Sequence, residues 1–184
     1  MKHESNLIWL DCEMTGLDFD RDVILEIACV ITDSKLNVIA EGPSLVINQP
    51  DRIIDHMGEW CQRQHAKSGL IFDVKQSQIT TTEAEEEILE FLKIYCFPNK
   101  SPLCGSSIWV DRLFLMKYMP RIHAFTHYRN VDVAAVKELV SRWYVVNLEK
   151  DLPKKDLHRA LSDIYESVNE LKFYRDRFFI SPTQ

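Results

Sequence analysis

Apolar positions divide the chain into a strand-rich first third and a strand–helix alternation after it. Residues 7–10 (LIWL) form a short apolar run that closes on Asp11-Cys12-Glu13, which predicts a buried strand ending in two carboxylates. Residues 16–22 read as a loop. Residues 23–32 (VILEIACVIT) are nearly all apolar and rich in β-branched side chains, the pattern of a central strand covered on both faces. Asp33-Ser34-Lys35 is a turn, and residues 36–47 give a third strand interrupted near Gly42-Pro43. These three segments predict an antiparallel meander. Glu26, the only charge inside the second strand, reads as a satisfied structural carboxylate.

From residue 50 to about residue 69 the pattern turns helical and polar, with Trp60 and His65 as its distinctive side chains. Thr82-x-x-Glu85 has the form of a capping box, and Ala84, Ile88, Leu92 and Tyr95 give the following helix one apolar face. Residues 98–102 end it. Leu103-Cys104-Gly105 predicts a short buried strand, and a helix begins around Asp111. Residues 128–131 form another strand. Asp132 is placed to cap a helix that buries Val133, Val136, Val140 and Trp143. Residues 145–156 form a charged loop containing Pro153, and a last helix over about residues 156–178 carries Leu161, Ile164, Val168, Leu171 and Phe178. A meander followed by strand–helix alternation specifies an α/β protein with a mixed sheet, its later strands parallel because helix-length connections join them.

Composition narrows the class. With 184 residues, 46% hydrophobic and 27% charged, the chain suits one domain over residues 1–184, its core roughly 6–178. No window approaches the roughly 20 apolar residues of a membrane span. Residues 1–5 run straight into the first strand, so no targeting peptide is expected and residence is expected to be cytoplasmic, with import into an organelle such as the mitochondrion left open. Five cysteines, widely spaced and without a Cys-x-x-Cys pair, argue against a disulfide framework or structural zinc. The net charge is −6 and no basic run exceeds Lys154-Lys155. Nucleic acid, if handled, is therefore held by few phosphates, with bound metal offsetting negative charge.

The chemistry starts at Asp11 and Glu13, which share one face of their strand because side chains alternate. Two carboxylates projecting together repel unless a cation lies between them. Asp111 stands at a helix start after Gly105-Ser106-Ser107, and His158 and Asp163 lie five residues apart near the start of the last helix. At about 100° per residue they fall on different stripes, so one site requires Asp163 to project inward from the helix and His158 to sit on its first turn. Four carboxylates suit hard cations such as Mg²⁺ or Mn²⁺. Two such ions stabilise the attacking and leaving oxygens of a phosphodiester, and a histidine is a suitable general base for the water. Taken singly, each residue also reads as an ordinary polar group.

In this order, Asp-x-Glu, then Asp, then His-x4-Asp, the sequence resembles the DEDD exonucleases of the histidine subclass. Within them it is similar to the oligoribonuclease family over roughly residues 6–178. LIWLDCEMTGLD, AEGPSLVINQPD, SGL at 68–70, SPLCGSSIWVDRLFLMKYMP, HYRNVDV and HRALSDIYESVNELKFYR carry the likeness. The resemblance implies a ribonuclease H-like fold: a mixed five-stranded sheet, antiparallel meander then parallel strands, flanked by helices. It implies a homodimeric 3′–5′ exoribonuclease that cuts very short RNAs, especially dinucleotides, to 5′-mononucleotides with two divalent cations. Asp11, Glu13, Asp111 and Asp163 match the metal ligands and His158 the base. Leu17 matches a wedge between bases, Trp60 a stacking platform and His65 a contact near the 3′ end. Ser107 and Arg129 match residues around the 5′ phosphate, and Tyr128 an aromatic from the partner subunit.

Departures from the family pattern are Ser106 for asparagine, Trp109-Val110 for smaller or polar residues, Ala134 for a phosphate-holding serine and Ser162 for aspartate. None removes a catalytic group; Ala134 points to looser phosphate capping and Trp109 to a reshaped cleft mouth. Two other readings remain open at this point: a proofreading-type DEDD exonuclease on longer strands, disfavoured by the acidic chain, and a catalytically dead binding or dimerisation module, disfavoured by the complete set of carboxylates and histidine.

Overall fold

The computed structural model describes residues 1–146, 148 and 158–180. Five strands are formed by Leu7–Met14 (β1), Ile24–Thr32 (β2), Val38–Val46 (β3), Pro102–Gly105 (β4) and His127–Asp132 (β5). They lie in the order β3-β2-β1-β4-β5. The first three pair antiparallel, and β4 and β5 join parallel to β1. This is the mixed α/β sheet that the sequence predicts. Around it stand helices Asp51–Asp55 (α1), Glu59–Lys67 (α2), Leu70–Gln76 (α3), Thr81–Tyr95 (α4), Ile108–Tyr118 (α5), Pro120–Phe125 (α6), Val133–Trp143 (α7) and Ala160–Phe178 (α8).

Side-chain alternation on β1 sorts the core into two layers. Ile8, Leu10 and Cys12 face α4, α5 and α6 together with Ile27, Cys29 and Ile31 of β2. Trp9 faces the other way, with Ala28 and Val30, against α7 and α8. Every residue of β2 is buried, which is why its sequence is almost unbroken in apolar character. Cys12, Cys29, Cys96 and Cys104 are buried and Cys61 is half-buried.

Several expectations need correction. The capping box of α4 is Thr80 with Glu83, two residues earlier than predicted: Thr80 Oγ1 accepts the Glu83 N–H at 3.2 Å and Glu83 Oε2 accepts the Thr80 N–H at 2.8 Å. Glu85 instead turns inward, where Oε1 accepts the Arg121 N–H at 2.7 Å and satisfies the start of α6. Strand β3 runs through Gly42-Pro43 rather than breaking there. The ladder slips between Ala28 and Val30, so Cys29 lies opposite both Gly42 and Pro43 in a bulge. The helical stretch expected over residues 50–69 is formed by two short helices, α1 and α2, and helicity continues beyond it in α3. Trp143, predicted to be buried, is the last residue of α7 and 69% exposed; the buried stripe of that helix stops at Val140. Finally, α8 begins at Ala160, so His158 precedes the helix, and most of the predicted charged loop lies outside the described residues.

Candidate active site

Strand β4 is short. It pairs with β1 at Ile8 and Trp9, so among the described residues no strand lies beside that edge of β1 beyond Trp9. The open edge receives Asp111 from the first turn of α5: its Oδ1 accepts the Cys12 backbone N–H at 2.9 Å. A side chain thus takes a ladder donor that would otherwise be orphaned in a buried setting. Gly105 permits this approach, since a Cβ there would lie 2.9 Å from the Leu10 carbonyl oxygen.

Asp11 and Glu13 share the face of β1 that looks toward α8. Asp163, in the first turn of α8, comes down on the same face. Ligand atoms of Glu13, His158 and Asp163 all lie within 4.8 Å of one another. His158 achieves this from a left-handed backbone conformation, with φ of 48°. The helical-stripe argument for the His158–Asp163 pair therefore does not apply, because only Asp163 is on the helix.

The electrostatics of this cluster follow from its geometry. Burial first, then the carboxylates of Asp163, Glu26 and Asp111, push Glu13 up to about 8, with Arg159 pulling in the opposite direction. Burial likewise raises Asp11, with Asp111, Glu13 and Asp163 adding to it. Asp111 is also raised by burial and restrained by the N–H of Cys12. Carboxylates so placed cannot all ionise without a counter-charge. The donor set, hard oxygens with one imidazole nitrogen within 4.8 Å of two of them, fits a divalent cation.

Two apolar side chains stand exposed. Leu17, in the loop after β1, is 77% exposed and Trp60 55%, and the Trp60 ring meets that of His158 edge-on at 5.5 Å between centroids. His65 is buried on α2. A carbonyl only accepts, so its contact with Met14 O at 2.9 Å makes Nε2 the donor. That leaves Nδ1 as a lone pair 3.9 Å from Glu13 Oε2, and among the described residues it has no hydrogen-bond partner. Burial lowers this histidine's pKa, in keeping with the neutral ring.

On the other side of the cluster, Ser107 caps α5 at φ of 55°, and its N–H donates to Asp132 Oδ1 at 2.9 Å. The same oxygen accepts the Ala134 N–H at 3.0 Å, so Asp132 caps α7 as predicted and also ties Ser107 to the end of β5. Tyr128 and Arg129 lie on β5, both exposed, with the guanidinium 5.4 Å from the tyrosine ring centroid. That strand is two places from β1 in the sheet, roughly 10 Å away at the usual strand spacing. Tyr128 is therefore not part of the carboxylate cluster.

Sequence reasoning missed Asp22 and Arg159. Asp22 fixes the loop that carries Leu17: Oδ1 accepts from Thr15 Oγ1 at 2.7 Å and Oδ2 from the Asp18 N–H at 2.8 Å. A Cβ on Gly16 would lie 2.4 Å from that Oδ2. Arg159 pairs with Glu26, which faces Glu13 directly across the β1–β2 ladder. A lone charge within an apolar strand was the only hint of that pairing.

Comparison with known proteins agrees with this geometry. The family model described as Exonuclease matches residues 8–171. An oligoribonuclease of Marinobacter nauticus is 53% identical over 179 residues, covering 97% of this chain and 99% of that protein. A human protein named "Oligoribonuclease, mitochondrial" is 50% identical over 173 residues, covering 94% of this chain and 73% of its own. Among solved structures, the zinc-bound complex of E. coli ExoI with single-stranded DNA superposes with a TM-score of 0.72 at 16% identity, over 96% of this chain and 41% of that one. The last likeness concerns the fold, an exonuclease fold of the ribonuclease H-like kind, and this chain spans about two fifths of that protein. Near-complete alignment at about half identity reaches further, and on it the chain belongs to the oligoribonuclease family of DEDD exonucleases.

Proposed function

We propose that this chain, a hydrolytic 3′–5′ exoribonuclease by its family, acts chiefly on RNAs a few nucleotides long, dinucleotides above all, and releases 5′-mononucleotides. One observation carries the reading: Glu13 of β1 and Asp163 of α8 gather with His158, whose ring meets the exposed Trp60, and Asp11 and Asp111 lie close enough to act on the same carboxylates. Trp60 stacks on a base without reading its identity, worth about 1–3 kcal/mol, and Leu17 inserts between two bases. His65 lies near the 3′ end of the substrate. Asp11, Glu13, Asp111 and Asp163 would hold two divalent cations, Mg²⁺ or Mn²⁺, which would supply stabilisation of the negative charge that develops in phosphodiester hydrolysis. His158 takes the proton of the attacking water at a ring nitrogen, which requires the neutral ring.

Ser107 and Arg129 meet the 5′ phosphate, and an arginine there favours substrates that end at it. Tyr128, exposed and remote from this chain's own carboxylates, suits a role in the site of a second copy, so the working form is a homodimer. Residues 1–184 act as one exonuclease domain. The proposed place of action on free short RNAs is the cytoplasm or, as in the relatives named mitochondrial, an organelle. No described helix is long and apolar enough to cross a membrane.

A length series tests the proposal. Cleavage of 5′-phosphorylated RNAs of two and of twenty nucleotides is followed with Mg²⁺ or Mn²⁺ and with chelator. The dinucleotide is expected to turn over faster, only with metal, and His158→Ala or Asp11→Ala to abolish turnover while the circular dichroism spectrum stays unchanged. Faster cleavage of the long strand would favour the proofreading reading. Failure to cut any short RNA would favour the binding module.

A further inference from the structure

His158 has a left-handed backbone, a conformation that costs a non-glycine residue of order 1–3 kcal/mol unless its surroundings hold it. It is followed by Arg159, the N-cap of α8, whose side chain makes no cap bond. The holding contacts come from elsewhere. Arg159 Nη2 and Nε reach Glu26 Oε1 at 3.0 and 3.2 Å, and Nε also reaches Oε2 at 3.1 Å. Glu26 Oε2 further accepts the Ala160 N–H at 3.1 Å, so this buried carboxylate closes the start of α8. The guanidinium's remaining arm, Nη1, reaches Asp73 Oδ2 on α3 at 2.9 Å. Helix α3 packs against α2, which carries Trp60 and His65. The fork of one arginine therefore spans the sheet, the first turn of α8 and the α2–α3 pair.

We propose that Arg159, pinned between Glu26 and Asp73, is a positioning residue that sets His158 against Glu13 and at a fixed separation from Trp60. Through it the element that stacks the substrate base is tied to the base that takes the proton. The planar fork is essential: a lysine at 159 keeps the charge but cannot meet both carboxylates in this geometry. The inference rests on His158 serving as general base.

The test compares Arg159→Lys, Asp73→Ala and His158→Ala on a 5′-phosphorylated dinucleotide, with Mn²⁺ binding by calorimetry and the fluorine resonance of 5-fluorotryptophan at position 60 as independent readouts. Removal of Arg159 altogether leaves Glu26 buried and uncompensated and risks the fold, which is why lysine is used. In Arg159→Lys, kcat is expected to fall about ten- to a hundredfold, the scale of a misplaced reacting group, with KM and Mn²⁺ affinity within about twofold. The Trp60 resonance should move toward its position in His158→Ala. Asp73→Ala should show the same pattern, weaker. Wild-type kcat in Arg159→Lys overturns the proposal, as does a loss of kcat with an unmoved Trp60 resonance, which would show that the His158–Trp60 separation does not depend on Arg159. If His158→Ala itself retains turnover, the assignment of the base fails instead.

Discussion

Glu13 sits where four acidic groups meet, and its ordinary pKa of 4.5 rises to about 8 from burial and the neighbouring carboxylates. The consequence for stability has a definite sign. A carboxyl raised in the folded state favours folding when protonated, so its contribution is full below pH 4.5 and is lost as the pH climbs through about 8. Asp11 and Asp111 shift the same way. In chelator, the melting temperature should fall between pH 5 and pH 8.5, and Glu13→Gln should flatten that fall. Added Mg²⁺ or Mn²⁺ should stabilise the wild type most at the alkaline end, where more ligands are ionised. A melting curve series in which chelated wild type and Glu13→Gln run parallel would contradict the crowding of charge inferred at this residue.

Among the elements, the loop after β1 shows how little of a site is carried by its most visible residue. Leu17 is exposed, but Asp22, Thr15 and the close pass of Gly16 hold its backbone, and from α5 the Tyr118 hydroxyl donates to Asp22 O at 2.7 Å. Gly16→Ala would drive a methyl group into the Asp22 carboxylate and displace the loop. The expected result is a KM for dinucleotide raised severalfold with kcat less affected, measured by steady-state kinetics. Elements of this kind also mark where sequence is legible. β1, β2 and the Asp11–Glu13 pair could be read because burial on both faces of a strand leaves a continuous apolar run. The capping box slipped by two residues because threonines occupy positions 80, 81 and 82, and only the fold selects which one leaves the helix. His158 was read onto a helix because no local signal announces a left-handed histidine, and the distant partners of Arg159 are invisible in spacing. Resemblance supplied Leu17, Trp60, His65 and Tyr128; their patterns alone specify nothing beyond ordinary core or surface residues.

For the whole molecule, the placement of Tyr128 on an outer strand, remote from the carboxylates, leads to a mixing experiment. On the proposed homodimer with Tyr128 acting in trans, Tyr128→Ala and His158→Ala should each be impaired. After subunit exchange, the mixed dimer would then contain one complete site, with His158 from one copy and Tyr128 from the other. Activity should then exceed that of either parent, up to about half the wild-type value per mixed dimer if exchange is complete. No gain after exchange, checked by light scattering and mass spectrometry, would return Tyr128 to its own subunit. The net charge of −6 belongs to the same scale: with few phosphates gripped, as proposed, the rate should depend only shallowly on salt.

The shortness of β4 has a spectroscopic consequence. Because that strand stops early, the Cys12 amide proton points at the Asp111 carboxylate rather than at a neighbouring carbonyl. Its chemical shift and its exchange with deuterated solvent are therefore sensitive to the charge on Asp111. With Asp111 holding a cation as proposed, a backbone resonance at residue 12 would report cation loading directly, in a protein given no substrate at all.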